Sequence, residues 1–421
     1  MSDLLARHRA VIPRWAGLYY DDPIEIVGGK GCRVTDSQGR SYLDFFAGIL
    51  TNMLGYDVPE VREAVERQLA TGVVHTSTLY LIRNQVLLAE KISKLSGIPN
   101  GKVYFTNSGS EANEVALLAA LSARGADQVL AMRGSYHGRT FGTVAATGNA
   151  AWKMSSHSPF GTHYLHGTDG YSPEACVEDL RALLSGGVHP ADVGCLIAEP
   201  VQGVGGFTMA PDGLFAAYKE VLDEHGILFI SDEVQTGWGR TGEHFWGIEA
   251  HGVVPDAITF AKGLGNGFAI GGVVARGELL DGIRGNGIST FGGNPLATAA
   301  ANATLDYLLS HDLQRCAASN GALIIGGLRS ASAELAVVGE VRGKGLMFAV
   351  DLVDPGSGKP SPALAGKALE AARERGLLIG KGGLYGHTLR MAPPMTLTED
   401  EAREGLALLI EALRAVNEEA L

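Results

Sequence analysis

One stretch constrains this chain more than any other: residues 227–272, ILFISDEVQTGWGRTGEHFWGIEAHGVVPDAITFAKGLGNGFAIGG. It holds two short apolar runs, 227–230 and 257–261, rich in β-branched and aromatic residues and bounded by Gly or Pro. Such runs form strands buried on both faces of a parallel or mixed sheet, so the expected class is α/β. A charged residue follows each run, Asp232 after the first and Lys262 after the second. Ligands of open α/β sheets bind beyond the carboxyl ends of the strands. An isolated acid and an isolated amine are therefore delivered to one edge. An ordinary ion pair is the commoner use of two such residues. The sharper reading is a cofactor that needs one carboxylate and one reactive amine. Pyridoxal 5′-phosphate is such a group: its aldehyde condenses with a lysine, and a carboxylate keeps its ring nitrogen protonated.

Other segments supply the remaining parts of such a site. KVYFT (102–106) reads as a buried strand running into NSGSEANE and a helix that stops at Gly125. Gly109 and Ser110 then lie at a helix N-terminus, a seat for phosphate. The strand in QVLAMRGSYHGRT delivers Tyr136 and His137, and an aromatic ring there can stack on a flat heterocycle while Gly138 clears space. GCLIA (194–198) is a further strand and ends in Glu199. GGVVAR (271–276) is expected at the edge of the same sheet. Ser289 and Thr290 offer hydroxyls before a helix rich in small residues. Arg390 sits in a short strand before Pro393 and Pro394, where a guanidinium can take a carboxylate with two hydrogen bonds; composition alone reads it as a surface arginine. Tyr19, Tyr20, Trp152 and Trp238 are candidates for a donor pocket. His157, His163 and His166 lack helical ligand spacing and an acidic neighbour, so they read as loop and not as a metal site.

A chain of 421 residues exceeds one average core, which gives two domains as the expectation. The texture divides it into an N-terminal arm and hairpin (1–45) packing with the small domain, a large domain (46–310) and a C-terminal α+β domain (311–421). Residues 1–30 read as an irregular arm, and 32–49 as a hairpin about DSQGR. The last helix starts at Thr398 with Glu401 completing a capping box. A net charge of −12 argues against nucleic acid or an anionic membrane as partner. No apolar run reaches spanning length, and the N-terminus lacks the apolar core of a signal peptide. Four scattered cysteines fit reduced thiols in the cytoplasm. GLGNG and GGKG superficially resemble phosphate loops, but neither continues as GK[ST] and no GxGxxG opens a helix, which disfavours a nucleotide-binding module.

Taken together, FTNSGSEANE, YHG, EPVQG, DEVQTGWGRTG, FAKGLGNG, STFGGNPLA and LRMAPP resemble the signature series of the class III pyridoxal-phosphate aminotransferases, in order from about residue 30 to the C-terminus. The resemblance implies fold type I: a large domain around a mostly parallel seven-stranded sheet, a smaller α+β domain, and a homodimer with shared active sites. It implies that Lys262 holds the cofactor and shuttles a proton, that Asp232 pairs with the ring nitrogen, and that Gln235 reaches the 3-hydroxyl. Val234 and Tyr136 would sandwich the ring, with His137 beside it and Glu199 behind. Gly109 and Ser110 would hold the phosphate, joined by Thr290 of the partner subunit, and Arg390 would bind the substrate carboxylate. Ornithine- and 4-aminobutyrate-type members carry, after EPVQG, a glutamate that masks that arginine. Here the position is Val204, which is similar to members using pyruvate or glyoxylate, such as alanine–glyoxylate (type 2) and β-alanine–pyruvate enzymes. The GHxHP segment frequent in the family stands here as GYDVPE. The expected reaction is ping-pong transamination from an amino acid or ω-amine to a 2-oxo acid. The alternatives are racemisation or epimerisation, decarboxylation or phospho-lyase elimination on the same fold, or 2-oxoglutarate-dependent transamination.

Overall fold

Seven strands form the central sheet: β1 (Gly101–Thr106), β2 (Gln128–Met132), β3 (Gly161–Leu165), β4 (Val193–Ala198), β5 (Leu228–Asp232), β6 (Ala257–Phe260) and β7 (Gly271–Arg276). The computed structural model describes residues 2–168 and 170–421. The spatial order is β1-β7-β6-β5-β4-β2-β3. β7 runs antiparallel to both of its neighbours, and the other pairings are parallel. β4, β5 and β6 are buried along their whole length, as continuous apolar runs require.

Two expectations about this sheet are corrected. β7 lies inside the sheet, not at its edge. Its glycines mislead because Gly reads as strand-weakening, yet here it permits close approach: a Cβ on Gly272 would sit 2.7 Å from both the Phe260 ring and Tyr104 O. His163 is in the edge strand β3 and not in a loop, paired with Leu130 across the ladder, its Nε2 3.2 Å from Gln128 Oε1. Among the described residues, no group of three or more His, Cys, Asp or Glu is arranged to hold a metal ion.

The helix Gly109–Arg124 follows β1. Ser108 caps it by accepting from Glu111 N at 3.2 Å, the Glu111 carboxylate accepts in turn from Asn107 N at 2.6 Å, and Gly125 closes it in the left-handed region. Ala112, Ala116, Ala119 and Ala120, with Asn113 and Leu117, form its buried side, and four of the six are alanines. Side chains this small let the helix lie close on the sheet.

Beyond residue 312 a four-stranded antiparallel sheet, Val338–Lys344, Met347–Leu352, Thr388–Met391 and Gly380–Gly382, packs with helices Leu313–Ser332, Pro362–Glu374 and Glu399–Ala420. The hairpin Arg33–Asp36 and Ser41–Asp44 joins Leu377–Leu378 in a separate sheet with Ile26–Lys30. Residues 2–11 form a helix and not an irregular arm. Its residues are almost all exposed, so it has no apolar stripe, the signal on which the sequence reading relied. Residues 47–50 do not continue the hairpin; Ala47, Gly48, Ile49 and Leu50 all take positive φ and make a left-handed turn. No described helix is long and apolar enough to cross a membrane.

Candidate active site

The carboxyl ends of β1, β4, β5 and β6 open into a cavity of about 530 Å³. Gly109, Ser110, Tyr136, His137, Glu199, Asp232, Val234, Gln235, Lys262, Arg390, Tyr19 and Trp152 all line it. Thr290 does not. It is exposed in the loop before the helix Pro295–Ser310, whose N-cap is Asn294. Tyr20 and Trp238 lie elsewhere: Tyr20 donates to Ile379 O at 3.4 Å, and Trp238 is buried against Phe245, Trp246 and Phe260.

Asp232 is the last residue of β5 and is buried. Its Oδ2 lies 2.7 Å from His137 Nδ1 and accepts from Asn113 Nδ2 at 2.8 Å; its Oδ1 accepts from Val234 N at 3.2 Å. The carboxylate is therefore fixed in orientation. Asn113 also donates to His137 O at 2.8 Å and accepts from Thr259 Oγ1 at 2.6 Å. It ties the helix after β1 to β6 and to the acid. Sequence reasoning missed it, although a lone Asn four residues beyond Gly109, on a helix face of alanines, was the available signal.

Lys262 comes just after β6, past Ala261, opens a short 3₁₀ turn and takes φ +45°. A non-glycine residue in that region is uncommon and concentrates at functional sites. Burial and then the Arg390 guanidinium lower its pKa to about 8, against the opposing pull of Asp232 and Glu199. Glu199 accepts from Tyr136 N and Gly203 N, both at 2.8 Å, and burial pushes its pKa up to about 7. It thereby joins the loop carrying Tyr136 to the loop carrying Gly203 and Val204.

Gly138 is a steric necessity, and Gly109 is closely fitted. A Cβ on Gly109 would come within 3.1 Å of Val234, and Gly138, at φ +141°, has Ser110 Oγ where its Cβ would be. Arg139 N donates to that hydroxyl at 3.1 Å, and the Arg139 side chain is exposed at the cavity wall. Arg139 is a second guanidinium that sequence reasoning passed over in favour of the neighbouring Tyr and His.

Arg390 is buried. It donates through Nη1 to Gly203 O at 2.9 Å and through Nη2 and Nε to Lys381 O at 3.0 and 3.2 Å. The rings of Phe46 and Phe207 lie 5.3 and 5.6 Å from its Cζ. Burial lowers its pKa, and no described carboxylate pairs with it. Val204, buried on the same wall, offers none.

These residues fit pyridoxal phosphate: a fixed acid, an amine of lowered pKa and a helix N-terminus surround one cavity. The buried Gln235 Oε1 that lines it accepts no hydrogen bond from the described residues, which leaves it ready for a hydroxyl. Sheet order and site together define a pyridoxal-phosphate-dependent enzyme of fold type I. The chain belongs to aminotransferase class-III, whose family profile matches residues 19–413. It is 40% identical over 403 residues to alanine–glyoxylate aminotransferase 2 homolog 2, mitochondrial, of Arabidopsis thaliana, covering 94% of this chain and 83% of that one. An amine transaminase from an uncultivated Pseudomonas species, solved with pyridoxal phosphate bound, superposes with a TM-score of 0.86 at 31% identity, covering 98% of this chain and 97% of that one. A phospholyase from Arthrobacter, solved with phosphoethanolamine, gives a TM-score of 0.88 at 34% identity, covering 98% and 99%. The protein is a pyridoxal-phosphate-dependent aminotransferase.

Proposed function

We propose that the amino acceptor is a short 2-oxo acid, pyruvate or glyoxylate, and that the donor is an amino acid or an ω-amine, the two reacting in turn in one cavity. The observation that carries this reading is Val204, an aliphatic residue beside an arginine that has no acid to mask it. Arg390 is then open to the carboxylate of a small oxo acid in either half-reaction.

Pyridoxal phosphate, when bound, supplies an aldehyde carbon and a ring that accepts electrons. Lys262 holds it and, as a free amine of lowered pKa, takes and returns the substrate Cα proton. Asp232, aligned by His137 and Asn113, would hold the ring nitrogen. Gln235 would take the 3-hydroxyl, and Val234 and Tyr136 would hold the ring between them. Gly109 and Ser110 would receive the phosphate. Glu199 keeps the Tyr136 and Gly203 loops in register, and Trp152 with Tyr19 shapes the substrate end.

We infer as well a cytoplasmic homodimer in which Thr290 of the partner subunit joins the phosphate site. The large exposed residues Leu79, Tyr80 and Leu81, and Ile288 and Phe291 across the His75–Phe291 ring contact at 4.6 Å, favour a covered face. Four cysteines without a disulfide suit a reducing compartment.

A half-reaction screen tests the substrate pair. Donors should convert the cofactor to its amine form, and pyruvate or glyoxylate should restore it faster than 2-oxoglutarate. Val204→Glu should raise the KM for pyruvate by about tenfold or more, because the new acid pairs with Arg390. A preference for 2-oxoglutarate in the unaltered enzyme refutes the reading. A second reading, elimination from an amino-alcohol phosphate, is favoured by the likeness to the phospholyase and by the exposed Arg139 guanidinium at the cavity wall. Release of inorganic phosphate from phosphoethanolamine would establish it.

A further inference from the structure

Two substrates that share a cavity in turn make unequal demands on Arg390. A 2-oxo acid brings a carboxylate to it, whereas an amine without a carboxylate leaves a desolvated guanidinium bare. Swinging the arginine away is one remedy, but three hydrogen bonds to the carbonyls of Gly203 and Lys381 hold it, and the Phe46 and Phe207 rings pack on it. A Cβ on Gly382 would crowd Arg390 at its Nε, so the strand beside it is also closely fitted. The arginine is the fixed part. An acid that folds over it is a second remedy, and Val204 excludes that at the neighbouring position.

What does lie on the free edge of Arg390 is a phenol. Tyr19 Oη accepts from Arg390 Nη2 at 3.5 Å and donates to Lys381 O at 3.3 Å, while its ring stacks on Phe46 with centroids 5.8 Å apart. Tyr19 lines the cavity yet is 40% exposed, so its outer side has room to move. The segment around it is tethered by Tyr20 to Ile379 O and by Asp21 N to Glu370, both in the C-terminal domain. A contact of 3.5 Å is at the limit of hydrogen bonding. It is weak enough for a charge-assisted, two-point carboxylate contact to displace, and polar enough to cover the guanidinium when no carboxylate comes.

We propose that Tyr19 is the specificity switch of the enzyme: its hydroxyl caps Arg390 while a carboxylate-free amine occupies the cavity and yields the place to a carboxylate substrate. This rests on the reading of Arg390 as the carboxylate anchor of a two-substrate cycle. It assigns to a neutral side chain on the N-terminal segment the masking role that an acid at position 204 would otherwise fill.

The switch makes a prediction of opposite sign for the two substrate types. In Tyr19→Phe holoenzyme, the KM for n-butylamine should rise severalfold while the KM for pyruvate does not rise. Propionate, a carboxylate that cannot react, should bind about threefold tighter by calorimetry, since it no longer competes with a hydroxyl. Tyr19→Leu should weaken both substrates, because it also removes the ring stacked on Phe46. Parallel weakening of both in Tyr19→Phe marks a structural role and overturns the proposal, as does unchanged behaviour toward both. An enzyme that takes no amino group from n-butylamine has no use for the cap, and that result also overturns it. Arg390→Met separates the layers. If it binds propionate as the unaltered enzyme does, the Arg390 assignment fails and the switch with it. If it loses propionate while Tyr19→Phe behaves as the unaltered enzyme does, only the switch falls.

Discussion

Lys262 shows how a single side chain is tuned by its surroundings. Burial disfavours its charged form, and the Arg390 guanidinium pushes in the same direction, while Asp232 and Glu199 pull back. The balance at about 8 leaves a useful fraction of neutral amine near neutral pH. In the cofactor-free protein, labelling of Lys262 by trinitrobenzenesulfonate, followed by peptide mapping, should therefore rise with pH through an inflection near 8. Arg390→Met removes a neighbouring cation, so the charged amine becomes easier to keep and the inflection should move to higher pH. A downward move, or none, would mean that the two groups are not electrostatically linked. Residue pairs of this kind are hard to read in a sequence. Asp232 and Lys262 announce themselves because each closes an apolar run, but Arg390 gains its meaning from Gly203 and Tyr19, both distant along the chain, and from Lys381 on the neighbouring strand.

At the level of elements, the turn after β1 and the loop after β2 are machined against each other. Gly138 at φ +141° carries the chain past Ser110, whose hydroxyl accepts from Arg139 N. Gly138→Ala would place a methyl group against that oxygen and strain the backbone by about 1–3 kcal/mol. Affinity for pyridoxal phosphate, measured by quenching of protein fluorescence, should fall on the order of tenfold or more. Affinity for pyridoxal, which lacks the phosphate, should change far less; an equal loss for both would show that the loop shapes the ring site and not the phosphate seat. Strands that carry their signal locally were legible: β4, β5 and β6 are mostly apolar and buried throughout, and the Thr398–Glu401 capping box marks the last helix. Elements whose placement depends on a neighbour were not. β7 looks like an edge until Phe260 is seen packed on Gly272, β3 hides in a loop-like polar stretch, and the left-handed turn at 47–50 has only Gly48 to suggest it.

Across the molecule, the four-stranded C-terminal sheet that carries Arg390 is tied to the loop that follows β4. A buried arginine and a half-buried aspartate make one such tie. Arg342 meets Asp351 through two hydrogen bonds of 2.7 and 2.8 Å, and also donates to Gly206 O at 2.8 and 3.0 Å. Thr388, two residues before Arg390, donates to the same carboxylate at 2.6 Å. Burial alone would raise the Asp351 pKa, but hydrogen bonds from His387, Arg342 and Thr388 hold it well below the usual carboxylate range. Asp351→Ala leaves the Arg342 guanidinium only the exposed Glu340 carboxylate and Gly206 O as partners and should cost about 1–3 kcal/mol of stability, read as a lower melting temperature at neutral pH. The pH dependence follows from the sign of the shift. A carboxyl whose folded pKa is depressed stabilises the fold above its unfolded value of about 3.9 and loses that contribution as pH falls toward the folded value. The gap in melting temperature between the unaltered protein and the variant should therefore be full at pH 6 and narrower at pH 3. A gap that stays constant across that range would show that the side chain acts by packing. Because Gly206 belongs to the same loop as Gly203 and Val204, the variant should also loosen the carbonyl that fixes Arg390. Its KM for pyruvate should rise at temperatures where the protein remains folded, which distinguishes loss of this clasp from a simple loss of stability.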